Sequence, residues 1–197
     1  MPCEKELAIY QGVLHLLAEG VDIYALKASD IAQAAGIGKG TLYNYFSSKE
    51  EIILSTIRYT MEDHLRRLRE AMDQEPDFSG KLHCALGYEL SHHSHHSQTL
   101  FLLSYFGARG LPPELKKAGE FFPALQEETA ALILQIAALG QQEGVVGNYS
   151  PEEILMAFTG VFSALSLRLC SQPLLAKEPE EELIDSYYRL LVRSLAP

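Results

Sequence analysis

The sequence predicts an all-α fold of two domains, and three observations predict it. Apolar residues recur at three- and four-residue spacing in the segments described below. Those segments end at glycines and prolines that stop helices. Between Lys27 and Lys49, two short helical segments meet at a single glycine, Gly36. The division expected is an N-terminal domain of three helices over residues 1–48 and a larger helical domain over residues 49–197.

The first helix spans about Glu4 to Glu19, with Leu7, Tyr10, Val13, Leu14 and Leu17 on one face and Gly20 as its stop. A short apolar link follows, in which Ile23 and Leu26 close a small core. The second helix is expected from about Ser29 to Ala35, with Ser29 and Asp30 placed to cap it, and the third from about Lys39 to Phe46. Ile31, Ala35, Ile37, Leu42 and Tyr45 form the inward set of that pair, joined by Phe46, and Ala32 is small where the helices cross. Gly36 falls at the reversal, where positive φ costs glycine nothing. This is the helix-turn-helix arrangement, whose second helix enters the DNA major groove. The rival reading of the same residues is a plain helical hairpin inside a core.

With Leu42, Tyr45 and Phe46 inside, Lys39, Gly40, Thr41, Tyr43 and Asn44 are left outward or lateral. Gly40 permits close approach of backbone to DNA; in an ordinary helix interior it would cost about 1 kcal/mol relative to alanine. Thr41 suits a base edge, a thymine methyl or a phosphate, and Asn44 is an amide able to read adenine. Ser48 followed by Glu51 fits a capping box opening the next helix.

The stretch IAQAAGIGKGTLYNYFSSKEEII closely resembles the signature of the TetR (tetracycline-repressor-like) family of bacterial transcription regulators. Ile31-Ala32, Ala35-Gly36-Ile37, Lys39-Gly40-Thr41-Leu42-Tyr43, Tyr45-Phe46 and Ser48-Lys49-Glu50 carry the resemblance, over roughly the first quarter of the chain. It implies an all-helical homodimer, a roughly palindromic operator on double-stranded DNA, and a small-molecule effector pocket in the C-terminal domain. It also implies phosphate contacts from Tyr43 and Lys49. Family members commonly carry threonine near the position of Ala28, so a phosphate contact from that side chain is absent here, and Lys27 or Ser29 is the candidate to supply it instead.

Sixteen Lys and Arg against twenty-six Asp and Glu give a net charge of −10, which argues on its face against nucleic acid. Distribution matters more, because screening confines charge effects to about 8–10 Å. Lys27, Lys39 and Lys49 lie at the edges of the two short helices, while several acids fall elsewhere, so few phosphate contacts and a modest salt dependence are expected. Cys3, Cys84 and Cys170 are scattered, odd in number and in no metal-ligand spacing. They read as reduced thiols. No apolar run of about 18 residues could span a bilayer, and the start of the chain lacks the order of a secretory signal, so a cytoplasmic location is expected.

The fourth helix runs from about Lys49 to Gln74 with Ile52, Ile53, Ile57, Met61, Leu65 and Leu68 as its buried stripe. In a TetR-like fold it belongs to both domains. After the break Glu75-Pro76-Asp77, a helix is read from Ser79 to about Ser97, ending in SHHSHHS. His92 and His96, four apart, are weak candidates for a metal such as zinc. No third ligand stands at a convincing distance, and neither a metal site nor a cofactor is predicted. An apolar, aromatic segment over Gln98 to Arg109 and a short turn of helix at Glu114 to Ala118 precede a long helix from Phe121 to about Glu143, stopped by Gly144.

The last helices, Pro151 to Ser171 and Glu180 to Leu195, hold more apolar residues than one buried face requires. A homodimer through these two helices is expected, with Ala157, Gly160 and Ala164 permitting close approach. Tyr88, His92, Phe101, Tyr105, Phe122, Phe158 and Phe162 are candidates for lining the effector pocket, suited to a mainly apolar ligand. No GxSxG elbow, phosphate-binding glycine loop or HExxH helix occurs, so no enzyme is expected. A sequence-specific repressor, released from its operator by an effector, is the function read. The alternative is a small-molecule or metal-binding sensor with little DNA affinity.

Overall fold

The structure, a computed structural model, describes residues 2–23, 25–91, 122–170 and 179–197, the side chains of Phe122 and Cys170 aside. Among these residues it is all-α, as expected. The helices are α1 (Glu4–Ala18), α2 (Ala28–Ala34), α3 (Lys39–Leu42), α4 (Lys49–Met72), α5 (Phe78–Ser91), α6 (Phe122–Gln142), α7 (Pro151–Cys170) and α8 (Glu180–Ser194). The described residues form two compact units, one up to Asp63, the other from His64 to Ser91 with Pro123–Pro197. The division falls inside α4.

In the first unit, Ile9, Tyr10 and Val13 of α1, Leu26, Ala28, Ile31 and Ala32 around α2, Leu42, Phe46, and Ile52, Ile53 and Ile57 of α4 make one buried cluster. Ile9 was absent from the face expected of α1, yet it is fully buried. Leu7, Leu14 and Leu17 pack only at its margin. The approach of α1 to α2 depends on Gly12, where a Cβ would lie 3.0 Å from the Ala35 nitrogen and 3.2 Å from the Ile31 oxygen. Gly36 has φ +66°, and the amides of Gly36 and Ile37 donate to the carbonyls of Gln33 and Ala32. This paired closure satisfies two of the four carbonyls that a helix end leaves open.

In the second unit, Phe78, Leu82, Ala85 and Leu86 of α5 meet Leu132, Ile136 and Ala137 of α6, Ile154, Phe158, Val161, Leu165 and Leu169 of α7, and Leu183 and Leu191 of α8. Leu65 and Met72 of α4 belong to the same cluster. Each fully buried side chain of this kind contributes about 1.5–3 kcal/mol relative to exposure.

Polar clamps fix the corners. Between α4 and α5, the Lys81 ammonium donates to the Met72 carbonyl at 2.7 Å, and the Gly80 amide donates to Asp77 Oδ1 at 2.7 Å. The Phe78 amide, at the start of α5, donates to both carboxylate oxygens of Glu143 at 3.2 Å. Between α5 and α8, His83 stacks on Tyr188 with ring centres 4.1 Å apart, and its Nε2 lies 3.2 Å from Asp185 Oδ1. Ser79 Oγ lies 3.4 Å from His83 Nδ1, which gives a Ser-His-Asp line. That nitrogen is only 2.8 Å from the carbonyl oxygen of Ser79, an acceptor, so it is committed there and does not serve as a base toward the hydroxyl.

Candidate nucleic-acid interface

Helix α3 is a single turn. Gly38, which occupies its N-cap, offers no side-chain cap, and the amides of Asn44 and Tyr45 turn back to Thr41 and Leu42 in tight i→i+3 bonds. The expected extension of regular helix to Phe46 is therefore replaced by turns. The cause lies in which aromatic goes inside. Phe46 is buried against Tyr10, ring centres 6.0 Å apart. Tyr45, expected inside with it, is instead 37% exposed. One buried slot opposite Tyr10 accepts one ring, and the phenol, which retains a hydroxyl to solvate, is the ring left out.

The surface around α3 consequently carries two exposed tyrosines. Tyr43 is 46% exposed and stands with Lys39, Gly40 and Asn44, all exposed, and with Thr41, half-buried. Leu42 beneath them is fully buried and holds the turn to the core. A Cβ on Gly40 would meet nothing within 4 Å. No internal packing thus requires glycine at this position.

Lys27 occupies the N-cap of α2 and makes no side-chain cap hydrogen bond. Ser29, expected to cap, donates its hydroxyl to Asp30 Oδ1 at 3.0 Å instead. Lys49 opens α4 with its ammonium 4.0 Å from Glu50. The capping box at Ser48 forms in a shifted way. Ser48 Oγ accepts from the Glu51 amide at 3.1 Å, but the Glu51 carboxylate reaches past it to the amide of Ser47 at 2.6 Å and to the Ser47 hydroxyl. These bonds from the Ser47 hydroxyl and amide pull the Glu51 carboxyl below its ordinary value.

Because the folded state holds that carboxyl's pKa below its unfolded value, its stabilisation is present above the unfolded pKa and is lost as pH falls through the folded one. Glu51→Gln is expected to lower the stability of this unit by no more than about 0.5 kcal/mol at neutral pH, because solvent screens the exposed carboxylate. The difference from the parent protein should vanish in acid below the ordinary carboxylate range. Urea denaturation at stepped pH checks it; a difference independent of pH would remove the charged cap.

A shallow cleft of about 270 Å³ lies elsewhere in the first unit, lined by Pro2, Glu6, Tyr10, Ser55, Arg58, Tyr59 and Glu62. Tyr10 and Tyr59 stack there at 5.1 Å, and burial followed by the nearby Glu6 charge pushes the Tyr10 phenol up, so it stays neutral. None of the expected pocket residues lines it.

Of those, Tyr88 sits edge-on against His64, ring centres 5.2 Å apart, and His64 Nε2 lies 2.9 Å from Glu89. Phe158 is buried in the second unit's core and Phe162 packs against that core. His92, Phe101, Tyr105 and the side chain of Phe122 lie outside the described residues, as does His96. Among the described residues no three His, Cys, Asp or Glu side chains are grouped to hold a metal ion. No helix among them is long and apolar enough to cross a membrane.

Along α7, Met156 is 71% and Leu167 is 68% exposed, eleven residues and so three turns apart on one face. Exposed Gly160 and Ala164 lie between them, and no atom comes within 4 Å of a Cβ placed on Gly160. Ala157, expected with these small residues, packs inward against the core. On α8, Leu190 is 51% exposed.

Residues 17–56, which include α2 and α3, match the family model described as bacterial regulatory proteins, tetR family. Over 78 residues the chain is 30% identical to the fatty acid metabolism regulator protein of Bacillus subtilis (strain 168), a match that spans 40% of this chain and 40% of that protein. Two solved structures share the fold. The fatty acid degradation regulator FadR from Bacillus halodurans superposes with a TM-score of 0.74 at 19% identity, over 98% of this chain and 96% of that one. The transcriptional regulator FadR from Bacillus subtilis, in complex with stearoyl-CoA, gives 0.71 at 20% identity, over 96% and 98%.

Proposed function

We propose, for a chain that belongs to the tetR family of bacterial regulatory proteins through its residues 17–56, the function of a sequence-specific DNA-binding repressor released by a small, mainly apolar effector. The observation that carries the reading is the surface of α3. Thr41, Tyr43 and Asn44 project from a turn anchored by buried Leu42, beside a glycine that no internal contact explains. Lys39, Gly40, Thr41, Tyr43 and Asn44 would face the major groove, with Lys27, Ser29 and Lys49 on the flanking phosphates. Tyr45, exposed rather than inside, joins them as a further phosphate or sugar contact. The functional division is residues 1–48 for DNA and 49–197 for effector binding and dimerisation, in a cytoplasmic protein with no catalytic role.

One such head presents few charges, so affinity rests on two heads binding a roughly palindromic site together. The exposed stripe of Met156, Gly160, Ala164 and Leu167, with Leu190, supports a homodimer through α7 and α8. An effector releases such a dimer only as far as it binds one conformation better than the other. The stearoyl-CoA held by the Bacillus subtilis FadR structure makes a long-chain acyl compound the first effector class to try.

The test is a gel-shift titration of the full chain against DNA upstream of its own coding sequence. The parent protein should form a specific complex, and Thr41→Ala with Tyr43→Ala should weaken it by about 2–4 kcal/mol, a thirtyfold loss or more. Gly40→Ala should raise stability by up to about 1 kcal/mol while weakening the complex, since the added methyl meets only DNA. Absence of any specific complex, or indifference to the double substitution, would sink the regulator reading and favour the sensor.

A further inference from the structure

Helix α4 carries an arginine, Arg69, whose Nε is buried although the side chain as a whole is part-exposed. Arg69 follows Leu65 by four residues and precedes Met72 by three, so it shares the side of the helix that both of those buried residues occupy. Its Nε is buried and has no hydrogen-bond partner among the described residues. Its Nη2 meets one carboxylate, Glu128 Oε1 on α6, at 3.4 Å. That is well beyond the 2.7–2.9 Å or so of a charge-assisted hydrogen bond, and the two side chains are 43% and 53% exposed, so the pair holds weakly. The neighbouring arginine differs, since Arg66 donates to Glu70 at 2.7 Å on the outer face.

A guanidinium presents parallel N–H donors in a fork that matches two oxygens of a carboxylate or phosphate. Here the Nε prong is without a partner, on the side of α4 where Leu65 and Met72 are buried and Leu68 packs against the same core, while the rest of the side chain reaches solvent. A buried donor without a partner is costly enough to require an explanation. We propose that Arg69 is the anion anchor of the effector site: an oxyanion at one end of a mainly apolar ligand takes Nε with an adjacent Nη, and Glu128 is displaced. The inference rests on the effector reading above and names the polar half of that ligand.

The consequence for selectivity is that an anionic ligand binds better than a neutral one of the same chain length. The sign of the Glu128 effect is opposite to that of a structural salt bridge. Glu128 competes with the ligand, so neutralising it helps binding. A pair that merely held α4 to α6 would weaken binding when broken from either side.

The experiment uses the full chain with three probes of one apolar length: dodecanoate, dodecanoyl-CoA and dodecanol, followed by calorimetry. The parent protein should bind at least one of the two anions about tenfold or more tighter than the alcohol. Preference for dodecanoate identifies a carboxylate site, and preference for the thioester alone identifies a phosphate site. Arg69→Gln should abolish the anion preference, and Arg69→Lys, which keeps the charge and loses the fork, should reduce it several-fold, each read as the ratio of anion to alcohol affinity within one variant. Glu128→Gln should tighten the anion several-fold. Because Arg69→Gln leaves a part-buried polar chain, Arg69→Lys and Glu128→Gln keep the test valid if that variant melts early. Anion preference undiminished in both Arg69 variants, equal binding of alcohol and anion by the parent protein, or weakening by Glu128→Gln overturns the anchor alone. If the parent protein binds its operator but none of the three probes, the long-chain effector reading fails and the anchor fails with it.

Discussion

A protein carrying Met156→Glu with Leu167→Glu is expected to sediment as a monomer at micromolar concentration and to lose about a hundredfold or more in operator affinity. Both side chains are more than two-thirds exposed in the protomer, so carboxylates there cost the isolated fold little. Within a dimer built on this stripe the same carboxylates would be buried without partners, at several kcal/mol each. The loss on DNA follows because the second head no longer binds as an intramolecular event, a factor that runs to about 10²–10⁴. Sedimentation velocity and gel shift read the two effects separately. A variant that stays dimeric would place the interface elsewhere. A parent protein that is itself monomeric would remove the paired-head mechanism.

The second large effect is expected at Gly12. Valine there would push its Cβ to 3.0 Å from the Ala35 nitrogen and 3.3 Å from the Ala34 carbonyl carbon. Those atoms are backbone of α2 and of the turn that leads into α3, so neither can rotate away. The added methyls should cost the first unit about 3 kcal/mol, of which a better helix former returns less than 1. Hydrogen exchange followed residue by residue is the suitable measurement. Protection should collapse over α1 to α3 and persist over α5 to α8. Equal loss in both units, or no loss, would count against the close crossing at Gly12.

These two sites differ in how far the sequence discloses them. The apolar excess of α7 and α8 is visible in the letters, because burial of one face needs only a fixed fraction of a helix's positions. Gly12 is not visible. It reads as one more helical residue, and only the position of α2 in space makes its missing side chain necessary. Helix extents were legible for a related reason: Gly36 and Gly20 close their helices locally, and periodicity needs no knowledge of partners. The last turn of the recognition segment was not legible. Tyr45 and Phe46 are adjacent aromatics, and periodicity alone does not decide which one takes the slot facing Tyr10. Ile9 escaped for the mirror-image reason, since α1 is apolar over a wide arc and is buried from more than one side. The set proposed to face DNA consists of residues near one another in the chain. The proposed effector anchor joins residues far apart in the chain, since Arg69 beside Glu128 belongs to no short motif.

The corner between α4 and α5 contains Glu-Pro-Asp, letters that suggest a loose connection. The structure closes it from three directions: Lys81 on the end of α4, Asp77 on the first turn of α5, and Glu143 reaching in from the end of α6. Such a joint ties both helix ends to each other. A displacement of α5 is therefore expected to pull on the end of α4 through Lys81 and the Met72 carbonyl rather than to be lost in the five residues between the helices.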